Sequence, residues 1–347
     1  MSLPPPLQST AAYRAAFADG LGRMLSHSDG LGSYILVLAN AAQDPALWQQ
    51  MESRLEERHY HLAAMITSAL RQGRALNLPD DDLLVFLKLM AMGFGSAGMV
   101  ESRSTGPWEV AFNPLRALRP PRASQARAEG IYQPFNPNGF HFNLPGLGQE
   151  VLWTGELLGR PARLLYNKFP FVELHGLLVP QPERELPQLL TPEFHGWAWE
   201  VGDALGRLLP GLGLAYNSYG AHASVNHLHF QCFLRTRPLP LASPHWTHNG
   251  GHATYPAHCL RFDDPLEAWA AIDRLHVRAV PYNLLYLPGC MYLLARRPQG
   301  SYAQPAWSTG HAWYEMAGGV VSFSRDDYDR LEAEAIEVEL RRVTLRP

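Results

Sequence analysis

The stretch from Tyr216 to Gln231 closes on His227-Leu228-His229-Phe230-Gln231. Side chains alternate across a strand, so an extended run projects His227, His229 and Gln231 from one face and sends Leu228, Phe230 and Cys232 into packing on the other. Two imidazoles and an amide in one row suit attack on phosphorus. A neutral imidazole can displace a phosphate leaving group and hold the remaining fragment covalently, which splits one hard step into two easier ones. An unperturbed histidine has a pKa of about 6.5, so His229 is largely neutral near pH 7. For one ring nitrogen to attack, the other has to donate to an acceptor, and a backbone carbonyl near His227 is the expected one. Gln231 cannot exchange a proton at neutral pH, but it can donate a hydrogen bond to a phosphoryl oxygen. Such a row favours leaving groups that need no acid, such as a sugar 1-phosphate, whose second ionisation lies near pH ~6. It also disfavours activating water, so transfer is expected over hydrolysis.

The negative charge of a phosphate has to be offset. Lys168, one of only two lysines beside Lys88, and the backbone N–H groups of the Ser218–Ser224 loop are the candidates, with Arg163, Arg235 and Arg237 behind them. No carboxylate cluster has the spacing of magnesium ligands, so no metal and no cofactor are expected. His245, His248, His252 and His258 could bind zinc, but their loose spacing on a loop reads rather as solvent-facing histidines. Asn136-Pro137-Asn138-Gly139 is a turn signature.

These residues need elements to position them. Residues 1 to 105 read as a mostly helical region. One helix opens at Asp44-Pro45 and carries Leu47, Met51, Leu55, His59 and Leu62 at helical spacing. Another follows Asp80-Asp81-Asp82 and runs through Leu83 to Met92, where Gly93 ends it. Beyond residue 105 the texture changes to short apolar strands between Pro and Gly. Strands are expected at 108–112, 132–143 and 176–180, with 150–156 and 162–167 as a hairpin. A helix over 192–209 precedes a strand pair at 212–217 and 225–235. After a Pro/His/Gly-rich connection at 238–257, a weaker echo follows: a helix over 266–278, strands at 283–287 and 290–295, and a C-terminal helix over 326–340. Two α+β units sharing one sheet fit this order.

At 347 residues, with 46% hydrophobic and 18% charged residues, the chain has the make-up of a soluble globular protein with a large core. A formal net charge of −3 argues against a general nucleic-acid or anionic-membrane surface. Cys232, Cys259 and Cys290 form no CxxC pair and indicate no disulfide framework. The first ten residues lack the basic and apolar segments of a secretory signal. The apolar run at 34–42 is far shorter than the ~20 residues that cross a bilayer. A cytoplasmic protein is the default expectation.

The row His227-Leu228-His229-Phe230-Gln231 resembles the signature of the nucleotidyltransferase branch of the histidine-triad superfamily, which includes galactose-1-phosphate uridylyltransferase and diadenosine tetraphosphate phosphorylase. The wider context is similar to the GDP-hexose phosphorylases: Tyr216-Asn217-Ser218 through Gln231, Gln133-Pro134-Phe135 with Gly139-Phe140-His141-Phe142-Asn143, and Glu315-Met316-Ala317-Gly318-Gly319. Asn167-Lys168-Phe169-Pro170 leading to His175 resembles the upstream nucleotide-binding strand of the superfamily. The blocks span roughly 108–320 and leave the first hundred residues outside.

The resemblance implies an α+β protein with a double histidine-triad fold, its catalytic half over 106–240 and its second half over 241–347. It implies a covalent nucleotidyl intermediate on His229, with His227 and Gln231 in support. Asn217, Ser218, Gly220 and Ser224 match the loop that holds the phosphates, Asn167 a ribose contact, and His175 a histidine near the nucleophile. The substrates implied are an NDP-hexose, GDP-linked by the closer similarity, and inorganic phosphate, with a homodimer as a further possibility. A dinucleoside polyphosphate or a specialised nucleotide is the alternative substrate, and a nucleotide-binding protein without turnover the alternative class. Leu144 departs from the Phe-Asn-Lys ending of the animal enzymes, and the Asn167–Pro170 block is nearer the uridylyltransferases.

Overall fold

Asp44 turns its carboxylate back onto the N–H groups of Ala46 and Leu47, with Pro45 in the first turn, and starts the longest helix of the chain. The structure, a computed structural model, describes residues 3–118, 130–308 and 310–346. Four helices come first: α1 (Thr10–His27), α2 (Leu31–Ala41), α3 (Pro45–Arg71) and α4 (Asp80–Met92). The apolar run noted at 34–42 is α2, buried among the other three. Strands β1 (Glu101–Thr105) and β2 (Trp108–Phe112) follow, then β3 (Val151–Leu157), β4 (Arg160–Tyr166) and β5 (Gly176–Pro180). Next come α5 (Pro192–Leu208), β6 (Leu212–Asn217), β7 (Phe230–Leu234), β8 (Cys259–Phe262), α6 (Pro265–Val277), β9 (Tyr282–Leu287) and β10 (Cys290–Ala295). The chain closes with α7 (Trp313–Met316), β11 (Gly319–Ser322), α8 (Arg325–Arg330) and α9 (Ala333–Val343).

Eight strands form one antiparallel sheet in the order β3-β4-β5-β7-β6-β9-β10-β8, so β7 sits at its centre. The alternation of each strand divides the core into two layers. Leu214, Tyr216, Phe230, Cys232 and Tyr286 face the helical layer, while Ala215, Phe233, Leu285 and Trp313 face the other side. A second, small sheet lies on that other side, where β11 pairs in parallel with β2 and β1 pairs with β2.

The first hundred residues are packed onto the sheet. Gly20 of α1 lies so close to Tyr166 that a Cβ there would stand 2.0 Å from its hydroxyl, and that hydroxyl donates to the Phe17 carbonyl at 2.9 Å. Asn40 donates to the Asn167 carbonyl at 2.9 Å, Gln43 to the Pro170 carbonyl at 3.1 Å and Tyr13 to the Leu174 carbonyl at 3.3 Å. Three side chains of this region thus brace the segment from Asn167 to Leu174.

Several expected elements differ. Residues 132–143 form no strand: Pro134 and Pro137 remove donors, and the Asn136–Gly139 turn reverses the chain, closed by the Gly139 N–H on the Asn136 carbonyl at 3.1 Å. The strand expected from residue 225 begins only at Phe230, after a bend through His227. The single C-terminal helix is two, α8 and α9, separated at Leu331-Glu332. β1, β8 and β11, and the separate helices α1 and α2, carried no clear periodic signal.

Candidate active site

The His229 ring packs against Phe142 with centroids 5.1 Å apart, and His227 packs on the same phenyl at 5.6 Å. Both imidazoles therefore reach the same side although the strand begins after them. Contacts between each Nδ1 and a backbone group settle the protons. His229 Nδ1 lies 2.8 Å from the His227 carbonyl oxygen, which can only accept, so Nδ1 carries the hydrogen and Nε2 keeps the lone pair. That Nε2 has no hydrogen bond among the described residues. In His227 the arrangement is reversed. Its Nδ1 accepts the Phe142 N–H at 3.2 Å, which leaves the proton on Nε2, sealed from solvent on the side of the Pro182 carbonyl. His229 Nε2 is not closed off in this way. Burial pulls His229 down to about 4 against the opposing effect of the His227 carbonyl. His227 is also pulled to about 4, by burial first and by neighbouring His229 and His141 after it. Both rings are neutral well below pH 7.

Gln231 is tied at its oxygen. Trp313 Nε1 donates to Gln231 Oε1 at 2.8 Å and His175 Nε2 lies 2.9 Å from the same oxygen. An indole N–H is a donor only, so the amide carbonyl faces Trp313 and the NH2 faces away. Sharing that oxygen, His175 carries its proton on Nε2. Burial pulls its pKa to about 3, opposed by the bond to Gln231. Asn167 Oδ1 accepts the Phe169 N–H at 3.0 Å, which turns its own Nδ2 toward the His175 ring at 3.4 Å. Asn167, expected at a ribose, is thereby partly committed to His175.

Gln188 went unnoticed in the sequence, where nothing but its isolation among prolines and leucines sets it apart. Fully buried, it fills the gap where β6 and the chain before β7 diverge. Its Nε2 donates to the carbonyls of Asn217 and His229 at 3.0 and 3.1 Å, and its Oε1 accepts the His229 N–H at 2.9 Å. One side chain so replaces the missing ladder bonds and fixes the backbone of the nucleophile candidate. Asn226 continues the brace, accepting the Gln188 N–H and donating to the carbonyls of Gln133 and Pro134.

The loop after β6 is held largely from inside. Asn217 Oδ1 accepts from the Trp313 N–H at 3.0 Å and from Asn283 Nδ2 at 2.7 Å, while its own Nδ2 makes no bond among the described residues. The Ser218 hydroxyl accepts the Tyr282 N–H at 2.9 Å and donates to the Tyr219 carbonyl, so this side chain is not directed at a ligand as expected. Gly220 turns the loop with φ +81, a left-handed conformation, and its carbonyl accepts the Gln299 N–H at 2.9 Å. Ser224 is exposed.

The expected cations are mostly engaged elsewhere. Lys168 forms a half-buried ion pair with Asp82 of α4 at 2.5 Å, which binds the helical region to the segment and occupies its charge. Arg235 pairs with Glu109 of β2 at 2.5 Å, deep between the two sheets. Arg163 donates to the Phe142 carbonyl at 3.0 Å and to Asn143 and Glu183, supporting the segment under both histidines. Arg237 reaches only Ser102. Arg116, not singled out in the sequence, donates to the Phe169 carbonyl at 2.9 Å and feels the charge of Glu315; it lies over the Phe171 ring at 4.9 Å, and that ring meets His175 at 4.6 Å. Among the described residues no group of three or more His, Cys, Asp or Glu could hold a metal, so the 245–258 histidines do not converge.

Residues 108–233 match the family described as GDPGP1-like, N-terminal domain. The match includes the whole row from His227 to Gln231 and the Phe142 segment beneath it. Human GDP-D-glucose phosphorylase 1 is 36% identical over 130 residues, which are 35% of this chain and 32% of that protein. GDP-L-galactose phosphorylase 1 of Arabidopsis thaliana is 30% identical over 137 residues, 35% of this chain and 30% of the other. The chain thus spans about a third of the length of the curated relatives it matches. Among solved structures, yeast Ap4A phosphorylase Apa2 in complex with Ap4A overlaps 77% of this chain and 97% of its own at a TM-score of 0.49 and 18% identity. No helix among the described residues is long and apolar enough to cross a membrane.

Proposed function

We propose that this protein is a nucleotidyltransferase of the phosphorylase type that cleaves a GDP-hexose with inorganic phosphate. The observation that carries the reading is the 2.8 Å contact from His229 Nδ1 to the His227 carbonyl, which leaves Nε2 as a neutral, unpartnered nucleophile. His229 Nε2 attacks the α-phosphorus, the bond from that phosphorus to the bridging oxygen breaks, and hexose 1-phosphate departs with the electron pair. An oxygen of inorganic phosphate then attacks the same phosphorus. The N–P bond breaks, GDP leaves and His229 regains its lone pair. GDP-hexose is favoured as substrate because the relatives this chain resembles are named for it.

Gln231 supports transfer over hydrolysis. Its oxygen is occupied by Trp313 and His175, so the side chain offers hydrogens to a phosphoryl oxygen and no base to water. In the same reading the fold is a double histidine-triad arrangement, halves 106–240 and 241–347 sharing the eight-stranded sheet, with the first 105 residues as its helical brace. His227, Asn217, the Ser218–Ser224 backbone around Gly220, Asn167 and His175 line the nucleotide, and Lys168 contributes charge only if a ligand draws it from Asp82.

The test is incubation with a panel of nucleotide sugars and dinucleoside polyphosphates, with and without phosphate, read by mass spectrometry. The expected result is GDP and hexose 1-phosphate from a GDP-hexose, and, without phosphate, a GMP adduct mapping to His229. An adduct on another residue, or turnover surviving His229→Ala, ends the proposal.

A further inference from the structure

Trp313 stands on the far side of the sheet from the N-terminal helices, 82 residues beyond the histidine row, yet it uses both of its donors there. Its backbone N–H goes to Asn217 Oδ1 at 3.0 Å and its indole N–H to Gln231 Oε1 at 2.8 Å. The ring is stacked on Phe233 with centroids 4.9 Å apart and planes 10° apart, and it is 1% exposed, so its aim is fixed. Ala215 pairs with Gln231 across β6 and β7, and Asn217 lies two residues beyond Ala215, so both amides belong to one face of the sheet.

An amide can flip when its partners both donate and accept. Histidine and asparagine can do either, and a chain built from them alone has two proton directions of similar energy. Trp313 can only donate. It therefore sets one direction for the whole group: Gln231 oxygen inward, His175 with its proton on Nε2, and Asn217 oxygen inward. Gln231 Nε2 and Asn217 Nδ2 are left without partners among the described residues, and neither is sealed from solvent.

We propose that Trp313 is a positioning residue that turns the NH2 groups of Gln231 and Asn217 outward together, as a pair of donors for the phosphoryl oxygens. This rests on the phosphorylase reading for its ligand, though not for its geometry. Donors aimed beforehand at developing charge act mainly on the transition state, so their loss lowers kcat more than it changes KM.

The geometry is tested on the intact, substrate-free protein by the 15N chemical shifts of His175. The expected tautomer has the proton on Nε2. A proton on Nδ1 overturns the proposal, because Gln231 would then present its NH2 to His175. This result stands even if no nucleotide is turned over, or if altered proteins do not fold. For activity with GDP-hexose and phosphate, Trp313→Phe should lower kcat on the order of tenfold with KM within about threefold. In a Gln231→Ala background the same change should cost less than about twofold, since the amide the indole directs is gone and the backbone N–H that holds Asn217 is kept by Phe. Equal losses in both backgrounds would show that the indole merely fills space, and would overturn the proposal.

Discussion

Histidines gather in two regions of this molecule, and they are handled in opposite ways. In the row before β7, backbone groups fix the protons of His227 and His229 while the attacking nitrogen stays unpaired. Along 245–258 the rings serve the loop itself. His248 Nε2 meets the Leu241 carbonyl at 2.9 Å between Tyr255 and Tyr292, His245 lies edge-on to Trp246, and the His258 backbone N–H is held by Thr344. Residue type does not separate the two, but burial does: His227 and His229 are buried, whereas His245 and His252 are exposed and His248 and His258 half-buried. What sets the first group apart is its place: two buried rings share the Phe142 phenyl at the head of the central strand, with Gln231 next in the row. His229 and His248 alike set one ring nitrogen on a backbone carbonyl, but His229 does so buried beside a second imidazole, whereas His248 does so on a loop between two tyrosines.

The contrast can be broken most directly by truncation. His229→Ala should lower turnover by on the order of 10⁴-fold or more, whereas His248→Ala should leave kcat within about twofold and lower the unfolding midpoint by a few degrees. Comparable kinetic losses at both positions would erase the distinction. Next in size is Gln188→Ala. It removes three hydrogen bonds to the backbone around His229 and leaves buried carbonyls unsatisfied, so kcat should fall roughly 10–100-fold alongside a loss of about 2–3 kcal/mol of stability. Full activity at reduced stability would mean that the His229 backbone needs no such support.

A smaller effect is expected from Gln231→His, which restores a proton-handling group and should raise hydrolysis over phosphorolysis several-fold. An unchanged product ratio would count against the role given to the amide. The smallest concerns pH. His175, His227 and His229 are pulled to about 3, 4 and 4 in the fold, below the ~6.5 of an unfolded chain. Between these values the unfolded state binds more protons, so stability is fully present above pH ~6.5 and declines as pH falls toward 4. The unfolding midpoint should drop by several degrees from pH 7 to 5, while kcat/KM for the folded enzyme shows no histidine inflection near 6.5. An inflection there would place the nucleophile in water rather than in this buried frame.

How far the sequence disclosed this arrangement depended on range. Alternation correctly set Leu228, Phe230 and Cys232 against the helices, and the need for an acceptor near His227 is met by its own carbonyl. Local capping at Asp44 and the 150–156 hairpin were equally legible, because neighbours decide them. The partners of Lys168 and Arg235 were not. Asp82 and Glu109 lie 86 and 126 residues away, and no spacing rule links them. Gln188 and Trp313 were hidden for the same reason: each acts across 29 to 96 residues, through two or three hydrogen bonds that leave no periodic trace. The extended look of 132–143 misled because aromatic residues there pack on histidines rather than in a ladder.

The parallel pairing of β11 with β2 joins residues about 210 positions apart, and α7 leads directly into β11. Loop closure over such a span is slow, so this clasp is expected to form late, after the central strands have associated. A ribosome-bound chain would hold its nucleophile histidine before it held the indole that aims the amides. Competence should therefore arrive only once the segment from Trp313 to Ser322 has docked, well after the histidine row itself is in place.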